Sequence, residues 1–117
     1  MQETRLGMVE AQFADIVWQN APLTTRQLVQ LCAEQLNWAR TTTYTVLKKL
    51  CDRGIFQAEN STVTVLIEKD AFCAMQSEEF VENTFGGSLP AFLAAFTSRK
   101  KLSEKELAEI QRLLEEV

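Results

Sequence analysis

The stretch NWARTTTYTVLKKLCDRG, residues 37–54, decides how the rest of this 117-residue chain is read. Taken as a helix, it carries Thr43, Val46, Leu47, Leu50 and Cys51 on one side, at spacings that let a helix pack on its neighbours. The other side carries Thr41, Thr42, Thr45, Lys48 and Lys49, with Arg40 at the start and no carboxylate before Asp52. Short hydroxyls allow close approach to base edges and long cations meet phosphates, so this face suits a groove of DNA. It also suits an ordinary solvated helix surface, and the stretch alone does not choose between the two.

Upstream, Val9, Phe13, Ile16 and Val17 recur at helical spacing over residues 8–19, and Trp18 closes the segment. Residues 1–6 read as a frayed arm. Asn20-Ala21-Pro22 ends the first helix, because proline cannot continue the hydrogen-bond ladder. Thr24 followed by Gln27 is a capping signature, and Leu23 can staple onto Leu28. The helix that starts there has Leu28, Leu31, Cys32 and Leu36 as its apolar stripe. A connector around Asn37 and Trp38 leads into the central stretch, which Gly54 terminates.

Downstream, the apolar period shortens. Residues 55–58 and 63–67 are β-rich runs around the polar turn Glu59-Asn60-Ser61-Thr62. Three helices and then a hairpin is the order of a winged helix-turn-helix, whose third helix reads DNA while the hairpin lies along the backbone. The expected fold class is mainly α with a β wing. A winged helix-turn-helix DNA-binding domain is assigned to residues 1–69 and a helical dimerisation segment to residues 70–117.

That second segment reads as three helices. Residues 70–85 carry Phe72, Met75, Phe80, Val81 and Phe85 at apolar positions, and Gly86-Gly87 stops them. Ser88 starts the next helix, with Pro90 tolerated in its first turn and Leu89, Phe92, Leu93 and Phe96 apolar. After Lys100-Lys101, Ser103 pairs with Glu106 in a second capping signature, and Leu102 can staple onto Leu107. The stripe Leu107, Ile110, Leu114 and Val117 is long, and short helices cannot easily bury it together with four phenylalanines. A second copy of the chain is the economical cover. The alternative is that these helices fold back on their own domain.

Composition agrees with a compact intracellular protein. Hydrophobic residues make up 46%, enough for a core. No apolar run approaches the ~20 residues of a membrane span, and the N-terminus lacks the pattern of a secretion signal. A cytoplasmic location without membrane insertion is expected. Cys32, Cys51 and Cys73 are odd in number and lack CxxC spacing, which fits reduced and mostly buried thiols. The net charge of −4 hides an uneven distribution. Residues 21–54 carry Arg26, Arg40, Lys48, Lys49 and Arg53 against Glu34 and Asp52, whereas residues 55–87 carry Lys69 alone against six carboxylates. The positive field therefore coincides with the candidate reading helix.

Taken in order, these residues resemble the penicillinase repressor family, which includes methicillin-resistance and copper-responsive repressors. The resemblance rests on Glu10 with Ile16-Val17-Trp18, then Pro22-Leu23-Thr24 with Arg26. It continues through Trp38, Thr41-Thr42, Thr45, Leu47, Leu50 and Gly54, and ends with Phe85-Gly86-Gly87-Ser88 and Leu102-Ser103 with Glu106-Leu107. It implies a homodimeric repressor of two-fold symmetric, double-stranded operator DNA. In the antibiotic-responsive branch a membrane sensor triggers cleavage of the repressor, and the corresponding bond here is Ala95-Phe96. That branch carries asparagine before the phenylalanine, where this chain has Ala95. The copper branch has a cysteine-rich tail; no such tail follows here and histidine is absent, so no metal or other cofactor is expected.

The expected backbone contacts are Arg26, Arg40, Lys48 and Lys49, and the expected base contacts are Thr41, Thr42, Tyr44 and Thr45. For Tyr44 the alternative is a ring packed against Trp38 or the second helix. The family places a basic residue at the wing tip, whereas Glu59 makes this tip acidic, so a poor wing–phosphate contact is expected. Dimerisation falls to Phe85, Leu89, Phe92, Leu93, Phe96, Leu107, Ile110 and Leu114. A winged-helix interaction module with little DNA affinity is the second reading. An enzyme is the third and weakest, since the chain has neither a glycine-rich phosphate loop nor a nucleophile spaced to a base.

Overall fold

The computed structural model describes residues 5–117. Its elements run α1 (Met8–Asn20), β1 (Leu23–Thr24), α2 (Thr25–Leu36), α3 (Arg40–Asp52), β2 (Phe56–Glu59), β3 (Thr62–Val65), α4 (Lys69–Phe85), α5 (Leu89–Arg99) and α6 (Glu104–Glu115). This is a mainly α-helical chain with a small β wing followed by a helical segment. Contacts divide it into two compact units, one ending at Ser77 and one spanning Glu78–Val117. The division falls inside α4, because Phe72 in its first turn is buried in the core of the first unit. The boundary expected from sequence lies at the start of that helix.

In the first unit most helix ends have an identifiable cause. The Gly7 N–H donates to Glu10 Oε1 at 3.1 Å ahead of α1, and Pro22 prevents the helix from running on. Thr24 Oγ1 accepts from the Gln27 N–H at 3.0 Å while Gln27 Oε1 accepts from the Thr24 N–H at 2.9 Å, the reciprocal cap of α2. Asn37 takes the left-handed conformation at φ 57°, so α2 stops and α3 begins only at Arg40. The residues around Asn37 and Trp38 thus form the connector the sequence predicts, and the helix follows it. Gly54, at φ 79°, ends α3.

The wing is a two-residue hairpin. Asn60 and Ser61 both have positive φ, 53° and 62°, as a tight primed turn between twisted strands requires. Gln57 pairs with Thr64 and Ala58 with Val63. A third strand is present that the sequence did not suggest: Leu23 pairs with Val63 and Thr24 with Thr62, so the sheet order is β1-β3-β2. Two residues are too few for any period to be visible. Leu23 is buried in the same core as Leu28, and also ties the start of α2 to the hairpin.

Phe13, Val17, Leu28, Leu50, Ile55, Phe56 and Val63 are completely or almost completely buried at the centre of this unit. Trp38 stacks on Phe13 at 5.7 Å, and Trp18 meets Phe56 and Phe72 at 5.6 and 5.7 Å. The Trp18 indole N–H donates to the Ile67 carbonyl at 3.0 Å, which satisfies its polar end. Of the expected frayed arm, residues 1–4 lie outside the described residues. Arg5 and Leu6 are not frayed: the Arg53 guanidinium donates to the Arg5 carbonyl at 2.7 Å, and Leu6 packs against the core.

The second unit is built differently. Gly86 and Gly87 have φ of 58° and 83°, the Gly87 N–H donates to the Val81 carbonyl at 3.1 Å, and α4 ends. Ser88 caps α5 and Ser103 with Glu106 caps α6. Phe80, Phe85 and Phe92 form an edge-to-face triangle with centroid separations of 5.6–6.1 Å, and Phe96 lies 6.2 Å from Phe92. No side chain from residue 78 onward is fully buried.

Candidate nucleic-acid interface

The α3 helix is held by its inner face. Leu47 and Leu50 are buried apolar anchors, and Thr43, 1% exposed, donates its hydroxyl to the Ala39 carbonyl at 3.3 Å. Val46 and Cys51 are half-buried beside them. This fixes the rotation of the helix, so Arg40, Thr41, Thr42, Tyr44, Thr45, Lys48 and Lys49 are all exposed. Arg26, in the first turn of α2, is exposed as well.

Exposure does not make these residues equivalent. Lys48 pairs with Asp52 one turn on at 2.9 Å, both side chains lying open to water, so solvent screens the attraction strongly. The Asp52 carboxylate raises the Lys48 pKa by hydrogen bond and by charge. Lys49 reaches Glu10 of α1 at 3.0 Å, and Glu10 is only 20% exposed. Burial alone would raise the Glu10 pKa, but the Gly7 N–H, the Lys49 ammonium and the Arg53 charge together bring it below its ordinary value. Lys49 and Glu10 thus join α3 to α1, a contact the sequence reading missed because the two residues lie on different helices. The Thr45 hydroxyl donates to the Thr41 carbonyl at 2.9 Å, which uses its one donor and leaves it able to act as an acceptor.

Tyr44 is 38% exposed. It stacks neither on Trp38, whose partner is Phe13, nor in the core; the Arg40 guanidinium lies 5.5 Å from its ring centroid. Hydrogen bonding from Thr25, then from Arg40, lowers its phenol pKa. Arg26, Arg40 and Tyr44 line one groove of about 570 Å³ together with Thr24, Thr25, Val29 and Ser61. Thr25 and Ser61 went unnoticed in the sequence. The Thr25 N–H donates to the Ser61 carbonyl at 3.0 Å, so the hairpin tip rests on the first residue of α2. Glu59, at the edge of that tip, accepts from the Gln57 side chain at 3.2 Å.

The expected dimerisation residues lie in the second unit. Leu89, Phe96, Leu107 and Leu114 are exposed, while Phe85, Phe92, Leu93 and Ile110 are half-buried. Ala95 and Phe96 are in the interior of α5, where the Ser98 hydroxyl donates to the Ala95 carbonyl at 2.7 Å. The cysteines depart in part from expectation. Cys32 is buried and Cys51 half-buried, and burial raises both thiols, but Cys73 is exposed. Among the described residues no group of three or more acidic or sulfur ligands could hold a metal, and no helix is long and apolar enough to cross a membrane.

A helix presented outward by a three-helix core and followed by a hairpin is the architecture of a winged helix-turn-helix DNA-binding regulator. The chain belongs to the penicillinase repressor family, whose sequence profile matches residues 6–116. It is also similar to the methicillin resistance regulatory protein MecI of Staphylococcus aureus, with 19% identity over 113 residues that cover 93% of this chain and 92% of that protein. The family is one of transcriptional repressors, not enzymes.

Proposed function

We propose that the chain is a sequence-specific repressor that binds a two-fold symmetric operator as a homodimer. The observation that carries this reading is the outward face of α3, where Arg40, Thr41, Thr42, Tyr44 and Thr45 are exposed, hydroxyl-rich and without a carboxylate. Thr41, Thr42 and Thr45 are assigned to base edges; Arg26, Arg40 and Lys48 are assigned to backbone phosphates. Lys48 can exchange a solvent-screened partner for a phosphate at little cost. Lys49, engaged with the sheltered Glu10, is left to the scaffold. The exposed apolar faces of α5 and α6 support pairing with a second copy, which would set two reading helices on successive half-sites.

Release by proteolysis at Ala95-Phe96, triggered by a membrane sensor, is the family's route carried to this chain. A bond in the interior of a helix must leave its hydrogen-bonded conformation before a protease can take it as an extended substrate. Signal-driven cleavage here therefore implies local opening of α5.

Fluorescence anisotropy with the promoter upstream of the protein's own gene, across a salt series and beside scrambled DNA, tests the reading. Tight, salt-dependent preference for the promoter is expected. Equal, weak binding of both duplexes by folded dimers favours the second reading, an interaction module. The acidic Glu59 at the wing and the internal pairing of Lys48 and Lys49 are the observations on that side.

A further inference from the structure

The cations carried on the helices of the first unit fall into two groups by pairing. Lys48, Lys49 and Lys69 each meet a carboxylate, Asp52, Glu10 and Asp15, at 2.8–3.0 Å. Arg26 and Arg40 meet none among the described residues, and both line the same groove. An unpaired guanidinium over open space is common on a surface. Two of them flanking one groove, with a phenol between α2 and α3, make a site with charge of one sign and no carboxylate to neutralise it among the described residues.

The groove lies at the start of α2, where an anion is ordinarily met by free helix amides. Here those amides are largely taken: Thr25 N–H by the Ser61 carbonyl, and Gln27 N–H by Thr24 Oγ1. An anion entering the groove is therefore met mainly by side chains. Guanidinium groups present planar, forked donors that match two non-bridging oxygens of a phosphodiester. Arg40 is also held in place, its guanidinium against the Tyr44 ring, so it gives up less freedom on binding than a free arginine.

Resting on the DNA-binding reading, we propose that the groove between α2, the start of α3 and the hairpin tip is a side-chain clamp for one DNA phosphodiester. Arg26 and Arg40 supply the charge. Tyr44 is a positioning residue that holds Arg40 and offers its hydroxyl to the phosphate; it does not read a base. The hairpin tip closes the groove through the Ser61 backbone and makes no DNA contact of its own, consistent with Glu59 at its edge. Backbone contact is thus concentrated at the start of α3, and Lys49 near its end contributes none.

The test uses the full chain and a duplex selected by that chain from a random library. Arg26→Ala and Arg40→Ala should each lower the slope of log K against log salt by about one and weaken all duplexes alike. Tyr44→Phe should weaken binding about fivefold at an unchanged slope, and Tyr44→Ala on the Arg40→Ala background should cost no more than about that fivefold, since only the hydroxyl contact is then left to lose. A single methylphosphonate, scanned along the backbone, should find a position per half-site that weakens the wild type but not the Arg26→Ala, Arg40→Ala double variant. Lys49→Ala should leave the slope unchanged. If the wild type binds but the two arginine variants keep its slope, or Tyr44→Phe changes base preference instead of overall affinity, the clamp is overturned and the DNA-binding reading stands. If no duplex is retained by the folded wild type, both fall.

Discussion

The two units of this chain solve the burial problem in opposite ways. The first encloses Phe13, Phe56, Phe72 and Leu28 with essentially no exposure and seals the polar end of Trp18 with a hydrogen bond. The second has four phenylalanines in a contiguous cluster and two well-capped helices, yet every one of its apolar side chains keeps some contact with water. Local signals are equally good in both: Thr24 with Gln27 in one, Ser103 with Glu106 in the other. Caps and turns therefore define where helices lie without providing a core. What separates the units is whether a third layer is available within the chain. The first has a sheet and three helices to close around; the second has α5, α6 and the end of α4, and leaves Leu107, Leu113 and Leu114 46–62% exposed.

The largest predicted effect breaks this contrast directly. Phe56→Ala should cost about 4 kcal/mol, the penalty of emptying a packed aromatic site, and its urea midpoint should not depend on protein concentration. Phe92→Ala should lower the midpoint of the second unit in a concentration-dependent way, because in the proposed dimer its ring belongs to a face completed by another molecule. Equal insensitivity of both variants to concentration would mean that the second unit is stable alone. Ile110→Asp comes next. It should halve the mass seen by light scattering and lower operator affinity by about 100-fold, as the second half-site is no longer tethered. An unchanged mass would refute the α6 interface.

A smaller effect separates the reading face from the scaffold within α3 itself. Thr42→Ala should cut discrimination between operator and altered operator by about 1 kcal/mol and change unfolding stability by less than about 0.5 kcal/mol. Thr43→Ala, one residue on, should do the reverse, since Thr43 is buried and bonded to Ala39. A loss of stability in Thr42→Ala with specificity intact would reverse the assignment of the two faces.

Most helices and their ends were legible from the sequence because they have a local cause: proline after α1, reciprocal caps at α2 and α6, glycines after α3 and α4. The inner and outer faces of α3 followed from spacing alone. Three features were not legible. The β1 strand is two residues long and exists only through its pairing with β3, a long-range event with no period of its own. The ion pair of Lys49 with Glu10 joins residues 39 positions apart, so the sequence gives Lys49 the same standing as Lys48. The groove around Tyr44 depends on where the hairpin tip comes to rest, and Ser61 carries no sign of that in its identity. In each case the missing information is a contact between distant segments, which local chemistry does not encode.

The smallest effect concerns that unforeseen pair. The Glu10 carboxyl titrates below its ordinary range in the folded state, so folding favours its charged form. A group of that kind adds stability above its unfolded pKa, and the contribution is lost as pH falls through the lowered folded value. Glu10→Gln keeps an acceptor for the Gly7 N–H while removing the charge that holds Lys49, so the variant isolates the ion pair from the helix start. It should be less stable by about 0.5 kcal/mol at neutral pH, and the gap should close on acidification through the carboxylate range. Both tryptophans, Trp18 and Trp38, sit in the first unit, so their fluorescence follows its unfolding without a signal from the second. Glu106 is also lowered, by its bonds to Ser103, but it lies in the second unit, away from the tryptophans. A gap that stays constant from neutral to acid pH would show that Glu10 acts through packing alone, and would return Lys49 to the pool of cations free to meet a phosphate.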